Sequence, residues 1–412
     1  MSEIKESIIG AIPFDATVQP LGDCILTILD HRGKTPIKLG SDWVEDGIPA
    51  ISAKNIHNGE LDNLDSIRYV TTDIYKKWMN EDVLKGDCFL VSEGATLGEY
   101  LYWDYDFPIV LSQRLFCIRT NPKILYSKYF YAYMNSFNFQ MQVKGMATGS
   151  SVDGLRQTAV RQLLVPIRPM NDQIFIGDLL YKLDKKKKDL QAQNKTLEEI
   201  AQTIFKEWFG KYQIGDELPE GWRAGKLSEI AEFLNGLALQ KYPVISGQDS
   251  LPVIKIRELK QGITSNTDRA NKELDSKYIV ENGDVLFSWS GSLEVVIWQY
   301  GQGALNQHLF KVTSNDYPKW FYYYWTLEHL TEFRGIASDK ATTMGHINRN
   351  HLDMAKVLIP DKNDFEKLNG LFNPILEKLE TNYSQIQTLT LTRDELLPKL
   401  MSGEIRVTEF IK

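Results

Sequence analysis

Cysteine is nearly absent, with three residues in 412: Cys24, Cys88 and Cys117. They show neither metal-ligand spacing nor an even disulfide framework, so burial has to hold the fold, and Cys117 falls where a core strand is expected. Long apolar runs are absent too. No stretch approaches the roughly 20 residues of a membrane span, and the first residues lack a secretory-leader pattern, so the sequence reads as cytoplasmic with no membrane partner. A surplus of positive charge is also missing. The 47 Lys and Arg stand against 54 Asp and Glu, a net charge of −7. Proteins that grip nucleic acid unaided usually show the opposite balance.

Catalytic and cofactor signatures are missing as well. The one Gly-Lys-Thr, at 33–35, has Ile28 where a phosphate loop needs its first glycine. No GxGxxG, HExxH or GxSxG occurs. His346 and His351 are five apart, the wrong spacing for one helical face, and lack further ligands, so neither metal nor cofactor is expected. A chain of this length without such motifs points to binding or assembly rather than catalysis.

What the sequence does contain is repetition. Between 171 and 210, Ile176, Leu183, Leu190, Leu197 and Ile204 recur every seven residues, with Leu179 and Ile200 between them. No proline interrupts, and Gly177 is the one weak spot, so a single long amphipathic helix is expected. From 363 to 403, Phe372, Leu379, Ile386 and Leu400 keep the same spacing, with Ile375, Leu389 and Leu396 between them. Pro374 and Pro398 are expected to kink or end this second helix. The two stripes should pack antiparallel as a helix-pair interface, with Leu183, Leu190 and Leu197 against 375–389.

The segments between the helices repeat in order. Ile48-Pro49-Ala50-Ile51 is echoed by Leu251-Pro252-Val253-Ile254, Gly86-Asp87 by Gly283-Asp284, Ser112-Gln113-Arg114-Leu115-Phe116 by Asn306-Gln307-His308-Leu309-Phe310, and Val165-Pro166 by Ile359-Pro360. The expected organisation is therefore a globular domain at 1–169, a long helix at 170–211, a linker at 212–222, a second domain at 223–360, and a second helix with its tail at 361–412. Residues 1–20 carry little signal and read as a loose lead-in. Strands are expected at 48–51, 66–70, 88–91, 100–103, 115–119 and 163–167, and at 253–256, 285–289, 295–298, 309–312 and 355–359. Aromatic helices are expected at 126–142 and 320–333. The fold class is α+β: two similar α/β domains joined by two long antiparallel helices as a coiled coil, a pseudo-twofold tandem repeat.

This order resembles the specificity subunit of type I restriction–modification systems. The features that carry the likeness are Leu21-Gly22-Asp23, Gly86-Asp87 with Gly94, Ser112 to Phe116, Ala147 to Ser151 and the heptad helix, largely repeated, together with Glu217-Leu218-Pro219-Glu220-Gly221-Trp222 and Leu396 to Ile405. The resemblance covers essentially the whole chain. It implies two target-recognition domains, each reading one half of a bipartite, asymmetric site on double-stranded DNA. It also implies helices that set the spacing and dock two methyltransferase subunits, with restriction subunits in the full complex and catalysis left to these partners.

The side chains suited to base edges cluster in corresponding loops. In the first domain they are Arg32, Lys34, Lys54, Asn55, Ser112, Gln113, Arg114, Thr148, Gly149, Ser150 and Ser151. In the second they are Lys255, Arg257, Asn306, Gln307, His308, Thr342, Thr343, Gly345 and His346. The charge balance complicates the reading, with 17 basic against 20 acidic residues in 1–169 and 15 against 18 in 212–360. Most phosphate contacts would then fall to the partners. Two other readings compete: a scaffold with two repeated modules that bind something other than DNA, and an enzyme with an unrecognised active site.

Overall fold

A computed structural model describes residues 4–149, 153–212, 216–339, 345–407 and 410. The chain divides into two compact units, Met1–Lys186 with Leu389–Lys412, and Lys187–Thr388.

In the first unit a four-stranded antiparallel sheet runs in the order Tyr100–Tyr102, Cys88–Val91, Leu115–Thr120, Ile25–Asp30. All four residues of Cys88–Val91 and five of the six in Leu115–Thr120 are buried, so these strands read as continuous apolar runs rather than alternating ones. A second sheet sets Ile48–Ile51 parallel to Val110–Leu111 and antiparallel to Arg68–Val70. Thr17–Pro20 pairs with Leu164–Ile167.

The second unit repeats this plan. Its four-stranded sheet has the order Val295–Ile297, Val285–Ser288, Leu309–Thr313, Glu232–Asn235. Ser250–Ile254 lies parallel to Gly303–Leu305 and antiparallel to Arg269–Asn271, and Arg223–Lys226 pairs with Lys356–Ile359. One addition, Ile279–Val280, pairs with Gly303–Leu305. Equivalent strands in equivalent order make each unit a copy of one mixed α+β topology, as the sequence repeat requires. Gln113 and Gln307 occupy the same place, in the turn after the parallel strand.

Several expectations need correcting. Residues 4–20 are not a loose lead-in: Ile4–Ser7 forms a hairpin with Gly10–Pro13, and the next strand finds its partner near residue 165. A strand whose mate lies that far along the chain leaves no local turn signal to read. The strands at 223–226, 269–271 and 303–305 also went unanticipated. Each aromatic helix is two, Ser127–Met134 and Phe137–Met146, then Lys319–Glu328 and Leu330–Asp339. In the first pair Ser136 interrupts the run, because its hydroxyl caps the Phe139 N–H at 3.3 Å and starts a new helix.

The long helices are Met170–Phe209 and Lys362–Ser402. The second runs through Pro374 and Pro398 without ending. Both prolines lie on its exposed side, so packing on the opposite face offsets the roughly 3 kcal/mol that an interior proline costs. Gly177 is a close-approach residue rather than a weak spot, since a Cβ there would sit 2.5 Å from the backbone nitrogen of Tyr129.

Within the first unit, Ile176 and Leu180 share a core with Leu397, Leu400 and Met401, and Arg393 Nη1 meets Asp184 Oδ1 at 2.9 Å. Within the second, Ala201, Phe205 and Phe209 share a core with Leu368, Phe372, Leu376 and Leu379. Asn382 Nδ2 donates to Gln193 Oε1 and Asn194 Oδ1, both at 2.8 Å, and Tyr383 donates to Glu198 Oε1 at 3.1 Å. In each unit rising numbers on one helix meet falling numbers on the other, so the strips run antiparallel. The register corrects one expectation. Leu183 packs in the first unit's core beside Leu396 rather than against 375–389. The seam is also not purely apolar. Asp184 and Asn194 are buried, whereas Leu183, Leu197, Ile204 and Ile386 are half-buried and Ile200 is exposed. Leu190, Phe372, Leu379 and Leu400 are buried as expected.

Candidate nucleic-acid interface

In the first unit the chain leaves Val110–Leu111, turns at 112–114 and enters Leu115–Thr120, thereby passing from one sheet to the other. Backbone bonds fix the turn on three sides: Ser112 N–H to Ile51 O at 2.8 Å, Ala53 N–H to Gln113 O at 3.3 Å, and Ser92 N–H to Arg114 O at 2.8 Å. Arg114 has φ of +66°, a left-handed conformation that a non-glycine residue holds only when its surroundings impose it. Its guanidinium pairs with Glu93 at 3.2 Å, while Ser112 is buried. Gln113 and Lys54 are exposed on the wall of a cleft of about 630 Å³ that Trp43, Arg68 and Thr96 also line. Thr148 pairs with Gly154, which in turn bridges to Glu93, so the 148–154 loop closes beside the turn. Gly149 is exposed there; Ser150 and Ser151 lie outside the described residues.

The other first-unit candidates are engaged elsewhere. Asn55 is buried with all four amide valences used: Oδ1 accepts from the Ser52 N–H and hydroxyl, and Nδ2 donates to Asn63 O and Ser66 Oγ. It shapes the loop that presents Lys54. Arg32 forks onto both oxygens of Asp30 at 2.8 Å and lies 4.2 Å over the Phe116 ring. Lys34 donates to the Trp78 carbonyl.

The second unit builds the same turn from other side chains. Asn306 N–H bonds to Ile254 O at 3.3 Å, and Trp289 N–H bonds to His308 O at 3.3 Å, matching Ser112 and Ser92. Asn306 is buried and caps the His308 N–H at 3.2 Å. His308 lies 3.0 Å from Ser290 Oγ, 3.3 Å from the Gln307 amide, and against the Trp289 ring at 5.8 Å. His346 bridges to Ser290, lies edge-on to the Trp289 ring at 6.3 Å and is exposed. The structure thus brings His308 and His346 to the Trp289 indole, with Gln307 beside His308; no motif in the sequence singles that tryptophan out. Gly345 serves packing, for a Cβ there would fall 2.1 Å from Ala337 O. Arg257 is spent on the buried Glu258 at 2.8 Å, and Lys255 pairs with Asp268. Thr342 and Thr343 lie outside the described residues.

Among the described residues no group of His, Cys, Asp and Glu is placed to hold a metal ion, and no helix is long and apolar enough to cross a membrane. What the two sites offer are donors and acceptors on rigid turns, the chemistry of base-edge recognition.

Comparisons with known proteins agree with this geometry. The family model described as the type I restriction modification DNA specificity domain matches residues 15–201 and 219–388. The MjaIX specificity subunit of a type I restriction enzyme from Methanocaldococcus jannaschii is 26% identical over 430 residues, covering 99% of this chain and 98% of its own. The HindI specificity subunit from Haemophilus influenzae is 21% identical, covering 78% of this chain and 87% of its own. A crystal structure of the type I restriction–modification S subunit from M. genitalium aligns with a TM-score of 0.60 at 14% identity, over 94% of this chain and 96% of that one. Tandem copies of one fold, matched twice by one family model, establish that the chain belongs to the type I restriction–modification DNA specificity family.

Proposed function

We propose that each unit reads one half of a bipartite DNA site through the turn that follows its parallel strand, 112–114 in one and 306–308 in the other. The observation that carries this reading is one scaffold presenting two different surfaces. Two equivalent backbone bonds hold Ser112-Gln113-Arg114 and Asn306-Gln307-His308, at the first and the last residue of each turn, so the two half-sites should differ in sequence while being read in the same manner. As a member of its family the chain is the DNA-recognition component, with DNA and methyltransferase and restriction subunits as partners. We extend this to two methyltransferase subunits, docked along the long helices, which also set the half-site spacing. With a net charge of −7, those partners would contribute most of the phosphate contacts.

Exchange of residues 212–360 for the matching unit of a relative tests the reading. The methylation motif of the assembled complex should change in one half-site and keep the other. Simultaneous change of both halves would show that the units do not read independently.

A further inference from the structure

The cleft of the first unit contains a cation that no sequence motif indicates. Arg68 is the first residue of the strand Arg68–Val70, is exposed, and lies with its guanidinium carbon 3.9 Å above the ring of Trp43. Among the described residues no hydrogen bond or ion pair engages its guanidinium. The other guanidinium on the same wall, Arg114, is tied to Glu93. Stacking on an indole face fixes the plane of a guanidinium while leaving its N–H edge available. An arginine held this way has already given up much of the rotamer freedom that a flexible side chain would lose on binding. Ser52, Ser66, Thr96 and Gln113 line the same cleft with neutral polar groups, beside the charged Lys54 and Glu93.

Strand register locates the equivalent position in the second unit. Ala50 lies opposite Arg68 on one side and Val110 on the other. Val253 lies beside Ala304 in the same way, and its N–H bonds to the carbonyl of Asp268 at 2.7 Å. Pro49 faces Tyr69, as Pro252 faces Arg269. Asp268 therefore stands where Arg68 stands. It is exposed and pairs with Lys255 across the equivalent site. One scaffold position carries opposite charge in the two copies.

We propose that this strand position determines specificity in both units, with Arg68 reading a guanine in one half-site and Asp268 and Lys255 together reading a G·C pair in the other. An arginine fork matches the O6 and N7 of guanine, a lysine can contact the same atoms, and a carboxylate accepts from the N4 amine of cytosine. The inference rests on the half-site reading above and adds the residues and bases that this reading leaves open.

The test is a methylation profile of the complex assembled with its methyltransferase subunits, taken across a randomised double-stranded DNA library. Arg68→Ala should relax one G·C position of a single half-site by about 5- to 150-fold, the range for losing one bidentate base contact. Arg68→Lys should keep overall affinity but lose much of that preference, because it keeps the charge and loses the fork. Asp268→Asn should relax one position of the opposite half-site. Thermal melts of all three should match wild type, since the positions are exposed. An Arg68→Ala profile identical to wild type at every position overturns the proposal, and so does uniform weakening across all sequences, the mark of a phosphate contact. Neither result touches the half-site reading, which fails if the wild-type complex shows no bipartite motif or if exchange of residues 212–360 changes both halves.

Discussion

At the scale of single residues, hydrogen-bond capacity separates a fold residue from an available one. Asn55 and Gln113 look alike in sequence as amides in polar turns. Asn55 has no valence left, whereas Gln113 is exposed on the cleft wall. In the second unit the counterparts are Gln307 and His308, half-buried and bonded to each other. Their joint replacement by alanine should relax only the half-site read there, by about 1–3 kcal/mol of discrimination, as measured by binding of the assembled complex to a randomised target. Relaxation of both half-sites would contradict it. His31 offers a residue-scale prediction on stability. It is buried, and desolvation, followed by nearby Lys34, pushes its pKa below the ordinary value of 6.5. The folded state therefore resists protonation that the unfolded state accepts. The contribution of His31 is complete above pH 6.5 and is lost as pH falls from there through the lowered folded value. Melting temperature should drop over that window in the wild type and drop less in His31→Leu. Equal slopes would remove His31 from the account.

At the scale of elements, the paired strips of the long helices place polar groups among the apolar ones. Asn382 is fully buried and gives both amide hydrogens to Gln193 and Asn194. Asn382→Ala should cost about 1–3 kcal/mol because the acceptors it leaves on Asn194 and Gln193 lose their donor. The double change Asn194→Leu with Asn382→Leu should recover most of that loss, since removing both partners removes the desolvation penalty. Urea titration of the three variants decides it, and a double variant no better than Asn382→Ala would show that packing rather than hydrogen bonding governs the seam. Heptad spacing located the helices but not this polar layer. A seven-residue count assigns Leu183 and Leu197 to the interior, yet the drift of a 3.6-residue helix turns Leu180, Asp184, Asn194 and Ala201 inward instead.

At the scale of the whole molecule, the charge balance makes a prediction of its own. With 47 basic and 54 acidic residues, the chain alone should bind DNA weakly and with a shallow dependence on salt. Addition of methyltransferase subunits should steepen the slope of log K against log salt, because each added phosphate contact releases counterions. Tight, steeply salt-dependent binding by the chain alone would locate the phosphate contacts on its own surface. The sequence by itself determined the duplication, the two long helices, the core strands and the place of Gln113 and Gln307. Those features rest on local periodicity and on repeated order, which a linear string displays in full. Tertiary structure alone decided the pairing of Thr17–Pro20 with Leu164–Ile167, the continuation of a helix through two prolines, and the alignment of Arg68 with Asp268. It also decided that Asn55 and Arg257 serve the fold while Arg68 stacks on Trp43 with no other partner among the described residues. The cause is physical. Whether a polar side chain is free depends on how the folded loops and strands set groups against it: Asn55 is closed by Ser52, Asn63 and Ser66 and Arg257 by Glu258, close in sequence but matched only once the loops take their shape, while Trp43 reaches Arg68 only when the sheet has formed.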